Sequence, residues 1–469
     1  MKPTLLDRNP ISIQVVQKAT APLTIRLTPA AEKTAPGLPG KQVGEILVFP
    51  TAGGQEVLVS LGDAAKITAD VYRQAGGALA VWFRKLKVER AAFAAADLTE
   101  AQFSAFCEGL FLGAFTFDRY KSDAEPVVKT EVECIGGSAA VIEHAQALCA
   151  AVNLARDWAH EPANVINPVT LSGRVQELAK EFGLQYREVD EKALESMGAG
   201  GLFSVGKGSQ AKPRLIILEY PGNGAPAGTK PVVLVGKAIT FDTGGYSLKG
   251  TENIQGMKGD KCGGVTVAAT LMAAAALKLK QPLVGLIPAA ENMISGDAYR
   301  PDDILRMLSG KTVEIISTDA EGRLILADAL TYAQKEFTPH AVIDLATLTG
   351  GVVVALGRVR AGLMCNHDEL AERLAAAGEA THERMWRLPL DDDYAKAIKS
   401  DDADIKNSGG REAQPVIGGI FLKQFVSNDV PWAHVDIAGV ADSPKDDTYR
   451  PKGATGFGVR MLVNYLESL

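Results

Sequence analysis

The chain predicts an α/β fold in two domains, the second a doubly wound, mostly parallel mixed sheet. Three observations lead there. Its 469 residues exceed one ordinary domain and fit two. Strand candidates alternate with helix-length amphipathic segments. Short, strongly apolar strands of the second half, Val232 to Val235 fully so, run into loops rich in glycine and charge. That is the pattern of a parallel sheet covered on both faces, with ligands taken at its carboxyl edge.

In the first half, Ile11 to Gln17 and Pro22 to Leu27 alternate as strands, and 45–49 and 56–60 read as two more. Residues 35–40 read as a loop. Asp63 to Leu86 reads as a helix with Asp63 as a cap. Val88 to Phe93 predicts a strand, 98–115 a helix and Pro126 to Cys134 a strand. Ser138 to His160 is a long helical pattern that stops before Glu161-Pro162 and Asn167-Pro168. We expect domains at 1–137 and 164–469 with this helix, within 138–163, as connector. A helix from Thr170 to Phe182 opens the second domain. Strands follow at 214–219, 231–236, 284–289, 313–316, 341–346 and 433–437, with helices between several of them.

Composition excludes several classes. Hydrophobic content of 46% with 22% charged residues is globular. A net charge of −7 provides no basic field for nucleic acid. Met1 to Gln17 has no apolar leader core, and no apolar run is expected to cross a bilayer. The longest, Val265 to Leu279, is interrupted by Thr266, Thr270 and Lys278 and reads as a buried helix. Five scattered cysteines predict neither disulfides nor a cysteine metal site, and point to a reducing, cytoplasmic compartment. The six histidines form no HExxH or helical pair, which excludes a histidine-based zinc protease.

The chemistry gathers at two strand ends. Val313-Glu314-Ile315-Ile316 leads into Ser317-Thr318-Asp319-Ala320-Glu321-Gly322-Arg323, which opens a helix. Val232-Val233-Leu234-Val235 leads into Gly236-Lys237, then Asp242, Gly244-Gly245 and Lys249, with Met257-Lys258-Gly259-Asp260 ahead of an alanine-rich helix. Singly, each acid reads as a helix cap or a favourable helix-dipole charge. Together, Asp242, Asp260, Asp319 and Glu321 repel one another unless cations lie between them, and they offer enough hard oxygens for two. Lys237 could ligate a metal only if neutral, whereas Lys249 could stay charged and stabilise an oxyanion. Gly350-Gly351, after Ala346-Thr347-Leu348-Thr349, adds a third glycine turn. Gly206-x-Gly208 and Gly453-Ala454-Thr455-Gly456 lack the spacing of phosphate loops.

These motifs resemble, in order and spacing, the leucyl aminopeptidase (cytosol aminopeptidase) family of di-metal exopeptidases. The resemblance covers roughly residues 164–469 and includes Glu291-Asn292-Met293, 299–303, 386–390 and 452–456. It implies a metal-dependent aminopeptidase that releases N-terminal leucine and other apolar residues from peptides. Asp242 and Glu321 would bridge two divalent ions, manganese or zinc; Lys237 and Asp260 would complete one and Asp319 the other. A bridging water would attack the first peptide carbonyl, and Lys249 would hold the oxyanion. Arg323 would bind a bicarbonate serving as general base, in keeping with the lack of a histidine near these motifs. The substrate's free amine would bind the second metal. Met257, Thr347, Leu348 and Gly350 match positions that shape the side-chain pocket. The resemblance further implies a macro-like N-terminal α/β domain, a homohexamer built as a dimer of trimers, and no membrane partner. Three residues depart from the usual pattern: Ser317 for asparagine, Ala238 for glycine, and Lys261 for an apolar residue, the last expected to add a cation near the metals. A DNA-binding role, known for some bacterial members, conflicts with the acidic charge. An inactive scaffold conflicts with retention of every ligand candidate.

Overall fold

The computed structural model describes residues 5–30, 40 and 42–469; apart from Gly40, the loop expected at 35–40 lies outside the described residues. The chain divides into two compact units, 1–153 with 443–453, and 154–442 with 454–469. The division falls inside the long helix read as the connector, between Asn153 and Leu154.

The first unit contains β1 (Ile11–Val16), β2 (Leu23–Thr28), β3 (Ile46–Thr51), β4 (Gly54–Ser60), α1 (Ala69–Leu86), β5 (Arg90–Ala94), α2 (Glu100–Gly113), β6 (Thr130–Ile135) and the start of α3 (Ala139–His160). Its six strands run β1-β6-β5-β2-β4-β3, all parallel except the β3–β4 pair. The helix expected from Asp63 begins later. Asp63 caps a 3-10 turn at Ala64–Lys66, Ile67 and Thr68 are extended, and α1 starts at Ala69. Thr99 and Gln102 form a capping box at α2. Residues 443–453 return to this unit. Tyr449 donates its hydroxyl to Asp70 at 2.7 Å, and Arg73 bonds Asp70 at 2.9 Å and Glu108 at 2.8 Å, all buried.

The second unit begins with the end of α3 and α4 (Pro168–Phe182), where Asn167 caps and Pro168 takes the first helical position that proline tolerates. There follow β7 (Gln185–Val189), α5 (Glu191–Met197), α6 (Gly200–Lys207), β8 (Arg214–Tyr220), β9 (Val232–Gly236), β10 (Ala238–Asp242), α7 (Thr251–Ile254), α8 (Cys262–Leu277), β11 (Leu283–Asn292), β12 (Ile304–Arg306), β13 (Thr312–Glu314) and α9 (Glu321–Glu336). The remainder comprises β14 (Ala341–Ala346), α10 (Gly350–Leu356), β15 (Ala361–Cys365), α11 (Asp368–Thr381), β16 (Met385–Arg387), β17 (Ile405–Lys406), α12 (Gln414–Lys423), β18 (Trp432–Asp436) and α13 (Val459–Glu467). The main sheet is ordered β16-β15-β18-β14-β9-β11-β8-β7, with β10 also on β11. Its centre, β18-β14-β9-β11, is parallel, and antiparallel pairs lie towards both edges. Alternation places helices on both faces. Val233, Val235, Val284 and Leu286 share a core with Leu324 to Leu330 of α9. Gly285, by contrast, abuts Val267 and Leu271 of α8. The fold class is therefore the expected α/β class with a mostly parallel mixed sheet.

Three expectations are corrected. Residues 313–316 are not a strand of the main sheet: β13 pairs with β12 and β17 in a separate three-stranded sheet. Val313 and Ile315 are buried while Ile316 is exposed, so the run is a half-buried strand. The segment after Gly236 is not simply loop, because β10 continues β9 along β11 in the same register after a break at Lys237. Lastly, Met257–Leu277 is long and apolar enough to cross a membrane by length and composition, though 83% of its most apolar stretch is buried within the fold, as in a core helix.

Asp328 of α9 ties loops to this core. Its buried carboxylate accepts from Leu202 N at 2.9 Å and Leu308 N at 2.8 Å, and burial pushes its pKa up to about 7 against those donors. Asp328→Ala leaves both amides buried without acceptors. It is expected to cost about 2–4 kcal/mol, read as a fall in the thermal midpoint; an unchanged midpoint would refute the assignment.

Candidate functional site

The break between β9 and β10 places Lys237. Its backbone bonds Leu345 O at 3.0 Å and accepts from Gly264 N at 2.7 Å, leaving the side chain to run beneath the first turn of α9. A Cβ at Gly322 would lie 2.6 Å from Lys237 Cε, so only glycine leaves room there. Asp242 ends β10, Asp260 lies in the 3-10 turn Met257–Lys261, Asp319 sits before α9 and Glu321 is its first residue. Residues far apart in sequence thus meet at the carboxyl edge of the parallel strands.

Lys237 Nζ lies 2.9 Å from Asp260 Oδ1, 2.8 Å from Glu321 Oε1 and 2.9 Å from Thr347 O, which uses all three of its N–H groups. Lys249 Nζ lies 2.7 Å from Asp242 Oδ2 and also contacts Asp319 Oδ1. Oxygens of Asp242, Asp319 and Glu321 fall within 4.8 Å of one another. Four carboxylates face two ammonium groups, an excess of two negative charges; Asp242, Asp260 and Glu321 are buried and Asp319 is exposed at the edge. Burial opposes the charge on both lysines, but the surrounding carboxylates outweigh it and raise their pKa values. The acids feel the excess instead. Burial and then its charged neighbours raise Glu321 to about 8; burial raises Asp260 to about 6 and also raises Asp319.

Asn292, Thr318 and Tyr299 brace the cluster. Asn292 Nδ2 donates to Asp242 Oδ1 at 2.8 Å and to Thr318 O at 3.0 Å, and Tyr299 Oη donates to Thr318 O at 2.7 Å. Thr318 Oγ1 donates to Gly244 O at 2.6 Å and accepts from Ser247 N at 2.7 Å. Gly244 and Gly245 have φ of +84° and +64°, and Gly244 N donates to Asp242 Oδ1 at 2.8 Å. Asn407 accepts from Ile316 N at 2.8 Å and from Ser317 N at 3.2 Å, and its carbonyl accepts from Arg323 Nη1 at 2.8 Å. The Arg323 guanidinium is buried, which lowers its pKa to about 10, and its Nε has no hydrogen-bond partner.

The expected pocket residues are only partly drawn into this cluster. Thr347 joins it through its carbonyl and through its hydroxyl, 2.6 Å from Asp260 Oδ1. Leu348 N donates to Asp436 Oδ1 at 3.1 Å, beside Thr349 Oγ1 on Asp436 Oδ2 at 2.7 Å. Met257 shares the turn of Asp260, and Gly350 opens α10.

Sequence reasoning gave no role to Asn292, Asn407 or Tyr299, and it missed His434. That histidine is fully buried in β18, with Nδ1 2.5 Å from Asp344 Oδ1 and Nε2 unpartnered. Burial and Arg323 disfavour its charge, but Asp344 and Asp436 prevail and raise its pKa. The motifs therefore do have a histidine near Arg323, buried and paired with Asp344.

The three departures from the usual pattern are accommodated structurally. Lys261 is fully buried and turned onto backbone: its Nζ donates to Ala159 O at 3.3 Å, to Glu161 O at 2.8 Å and to Lys258 O. With Lys258, which donates to His160 O at 2.7 Å, it caps the carboxyl end of α3 and anchors the Asp260 turn. Lys261 thus lies near the cluster, as expected, and interacts with the charge of Asp260, but its ammonium is hydrogen-bonded to carbonyls. Ser317 Oγ accepts from Asp319 N at 3.2 Å. Ala238 packs over Gly264, where a Cβ would lie 2.7 Å from its own.

The donor set fits divalent cations. Asp260 Oδ2 and Glu321 Oε2 are buried with no hydrogen-bond partner, which is costly unless a positive group meets them. Asp242, Asp260, Asp319, Glu321 and a deprotonated Lys237 could hold such ions. Lys249 and Arg323 offer cations to a substrate oxygen or an anion.

Residues 153–463 match the cytosol aminopeptidase family, catalytic domain, and residues 39–124 match its N-terminal domain. The chain is 44% identical over 448 residues to a probable cytosol aminopeptidase of Syntrophotalea carbinolica, covering 91% of this chain and 89% of that protein. It is 46% identical over 423 residues to a probable cytosol aminopeptidase of Geobacter sulfurreducens, covering 88% and 84%. It also resembles the solved structure of the bottromycin maturation enzyme BotP in complex with Mn, with a TM-score of 0.88 and 33% identity over 96% of this chain and 99% of that one.

The raised carboxylates set a pH dependence. A carboxylate raised on folding contributes stability that is complete below its unfolded pKa, about 4. That contribution is lost as pH climbs through about 6 for Asp260 and about 8 for Glu321. The thermal midpoint of chelator-treated protein should therefore fall between pH 6 and 8, and Glu321→Gln should flatten the slope. An equal slope in the variant would disprove the account.

Proposed function

The chain belongs to the cytosol aminopeptidase family, and from that membership we propose that it is a two-metal enzyme releasing N-terminal leucine and other apolar residues from peptides. Metal-dependent peptide hydrolysis follows from the family itself. The observation that carries the finer reading is the buried excess of carboxylate, with two oxygens left unpartnered beside Lys237.

In this reading Asp242 and Glu321 would serve both of two divalent ions, with Lys237 and Asp260 holding one and Asp319 the other. Bound manganese or zinc supplies Lewis-acid polarisation of the scissile carbonyl and acidifies the attacking water. The protein residues do the rest. Lys249, charged and held at the cluster's edge, steadies the carbonyl oxygen as negative charge grows on it. Arg323, whose Nε is buried and unpartnered, is the seat for a bicarbonate, which would supply a general base. Thr347 keeps Asp260 and Lys237 in place, and with Met257, Leu348 and Gly350 it borders the pocket for the first side chain. A free α-amino group is the substrate feature that the acidic cluster selects. We extend the reading to a cytoplasmic homohexamer, a dimer of trimers; five free, buried thiols fit a reducing compartment.

Chelator-stripped protein should hydrolyse leucine-anilide only after manganese or zinc is restored, and should leave N-acetyl-leucine-anilide intact. No cleavage with either metal, or equal cleavage of both substrates, would refute the reading. Asp319→Ala or Glu321→Ala should abolish turnover while the oligomer persists, and near-normal rates would remove these residues from the site. Metal uptake near neutral pH should also release protons, because Lys237 must give one up to ligate and Glu321 is raised to about 8. Calorimetry in two buffers of different ionisation enthalpy measures this, and identical heats would contradict it.

A further inference from the structure

Asn292 stands where two halves of the cluster meet. It is the last residue of β11 and fully buried. Ile239 pairs with Ala290, but Asp242 pairs with Asn292, so one extra residue bulges from β10 between them. Such bulges re-aim side chains at sheet edges. Here the bulge sets Asp242 directly opposite Asn292.

The amide then spends both of its N–H groups. One goes to Asp242 Oδ1 at 2.8 Å and the other to Thr318 O at 3.0 Å. Both partners are acceptors, so the nitrogen must face them. Asp242 Oδ1, which also accepts from Gly244 N, is thereby committed to the protein, and Oδ2 alone faces Lys249 and the cluster. Thr318 is the neighbour of Asp319. A single planar amide therefore fixes the strand end bearing Asp242 to the turn bearing Asp319.

The Asp260 side is held by other groups: Thr347 Oγ1 on Asp260 Oδ1 at 2.6 Å, and Lys258 and Lys261 on the end of α3. We propose that Asn292 is a positioning residue that sets cation affinity chiefly on the Asp319 side, where it holds both Asp242 and the turn bearing Asp319, and less on the Lys237–Asp260 side, which it reaches through Asp242 alone. This rests on the two-metal reading above.

The test uses manganese alone as probe, titrated calorimetrically into the chelator-stripped full chain, with free manganese counted by electron paramagnetic resonance. In Asn292→Ala, one manganese equivalent should weaken by about 10–100-fold, the usual effect of removing a group that orients a ligand. The other equivalent, which depends on Asn292 through Asp242 alone, should weaken clearly less. Asn292→Leu, which keeps the volume and removes both donors, should behave alike and covers the case in which the alanine variant fails to fold. Thr347→Val should weaken the opposite equivalent. Unchanged affinities in the Asn292 variants, or equal weakening of both equivalents, would overturn the proposal while the two-metal reading stands. No manganese uptake by the unsubstituted chain would overturn both.

Discussion

Three buried carboxylates and a fourth at the edge, Asp319, meet two ammonium groups, and much of the surrounding backbone can be understood as managing that imbalance. Repulsion among like charges in a low-dielectric setting is relieved by protonation, by fixed donors or by a cation. Several fixed donors are turned onto the cluster. Lys237 gives three bonds, Thr347 one, Asn292 one and the Gly244 amide one. Even so, two carboxylate oxygens remain unpartnered. A fold that buries such a group without finishing its hydrogen bonds has stored a demand for positive charge, and stored demand of this kind is what gives a metal site its affinity.

The fold meets the positional side of the problem with irregularities in a regular sheet. The break at Lys237 frees one side chain to pass under α9, and the bulge before Asp242 turns another toward Asn292. Both sit where parallel strands end, so departures from ladder geometry cost the core little. α8 and α9 seal the two faces beneath, with Val267 and Leu271 on one and Leu324 to Leu330 on the other. The electrostatic load thus rests on a frame whose interior is largely apolar.

How much of this could be read from the sequence depended on locality. Asp319, Glu321 and Arg323 lie in one short motif, and Lys237, Asp242 and Lys249 in another, so their association was visible as pattern. The fully apolar strand 232–236 is visible for the same reason, as is 341–346, apolar apart from Asp344. Residues 313–316 were assigned to the wrong sheet because four residues of alternating character do not say which partner a strand will take. Asn407 reaches Arg323 across 84 positions and Lys261 reaches Glu161 across 100. A lone asparagine in a loop, or a lysine next to an aspartate, carries no local mark of such a partner. His434 was scored as one of six scattered histidines, and only the pairing of β14 with β18 brings it to Asp344.

The return of residues 443–453 to the first unit has a consequence for modularity. A unit whose last strip of chain is borrowed from near the far terminus cannot be excised by a single cut. Severing the polypeptide after Asn153 would strand Arg73, Asp70 and Glu108 in an interior without the Tyr449 hydroxyl that bonds Asp70. The first unit is therefore not a detachable module in heredity either. Recombination that exchanged it as a contiguous block would have to carry the distant strip along, or leave Asp70 to Arg73 and Gln74 alone.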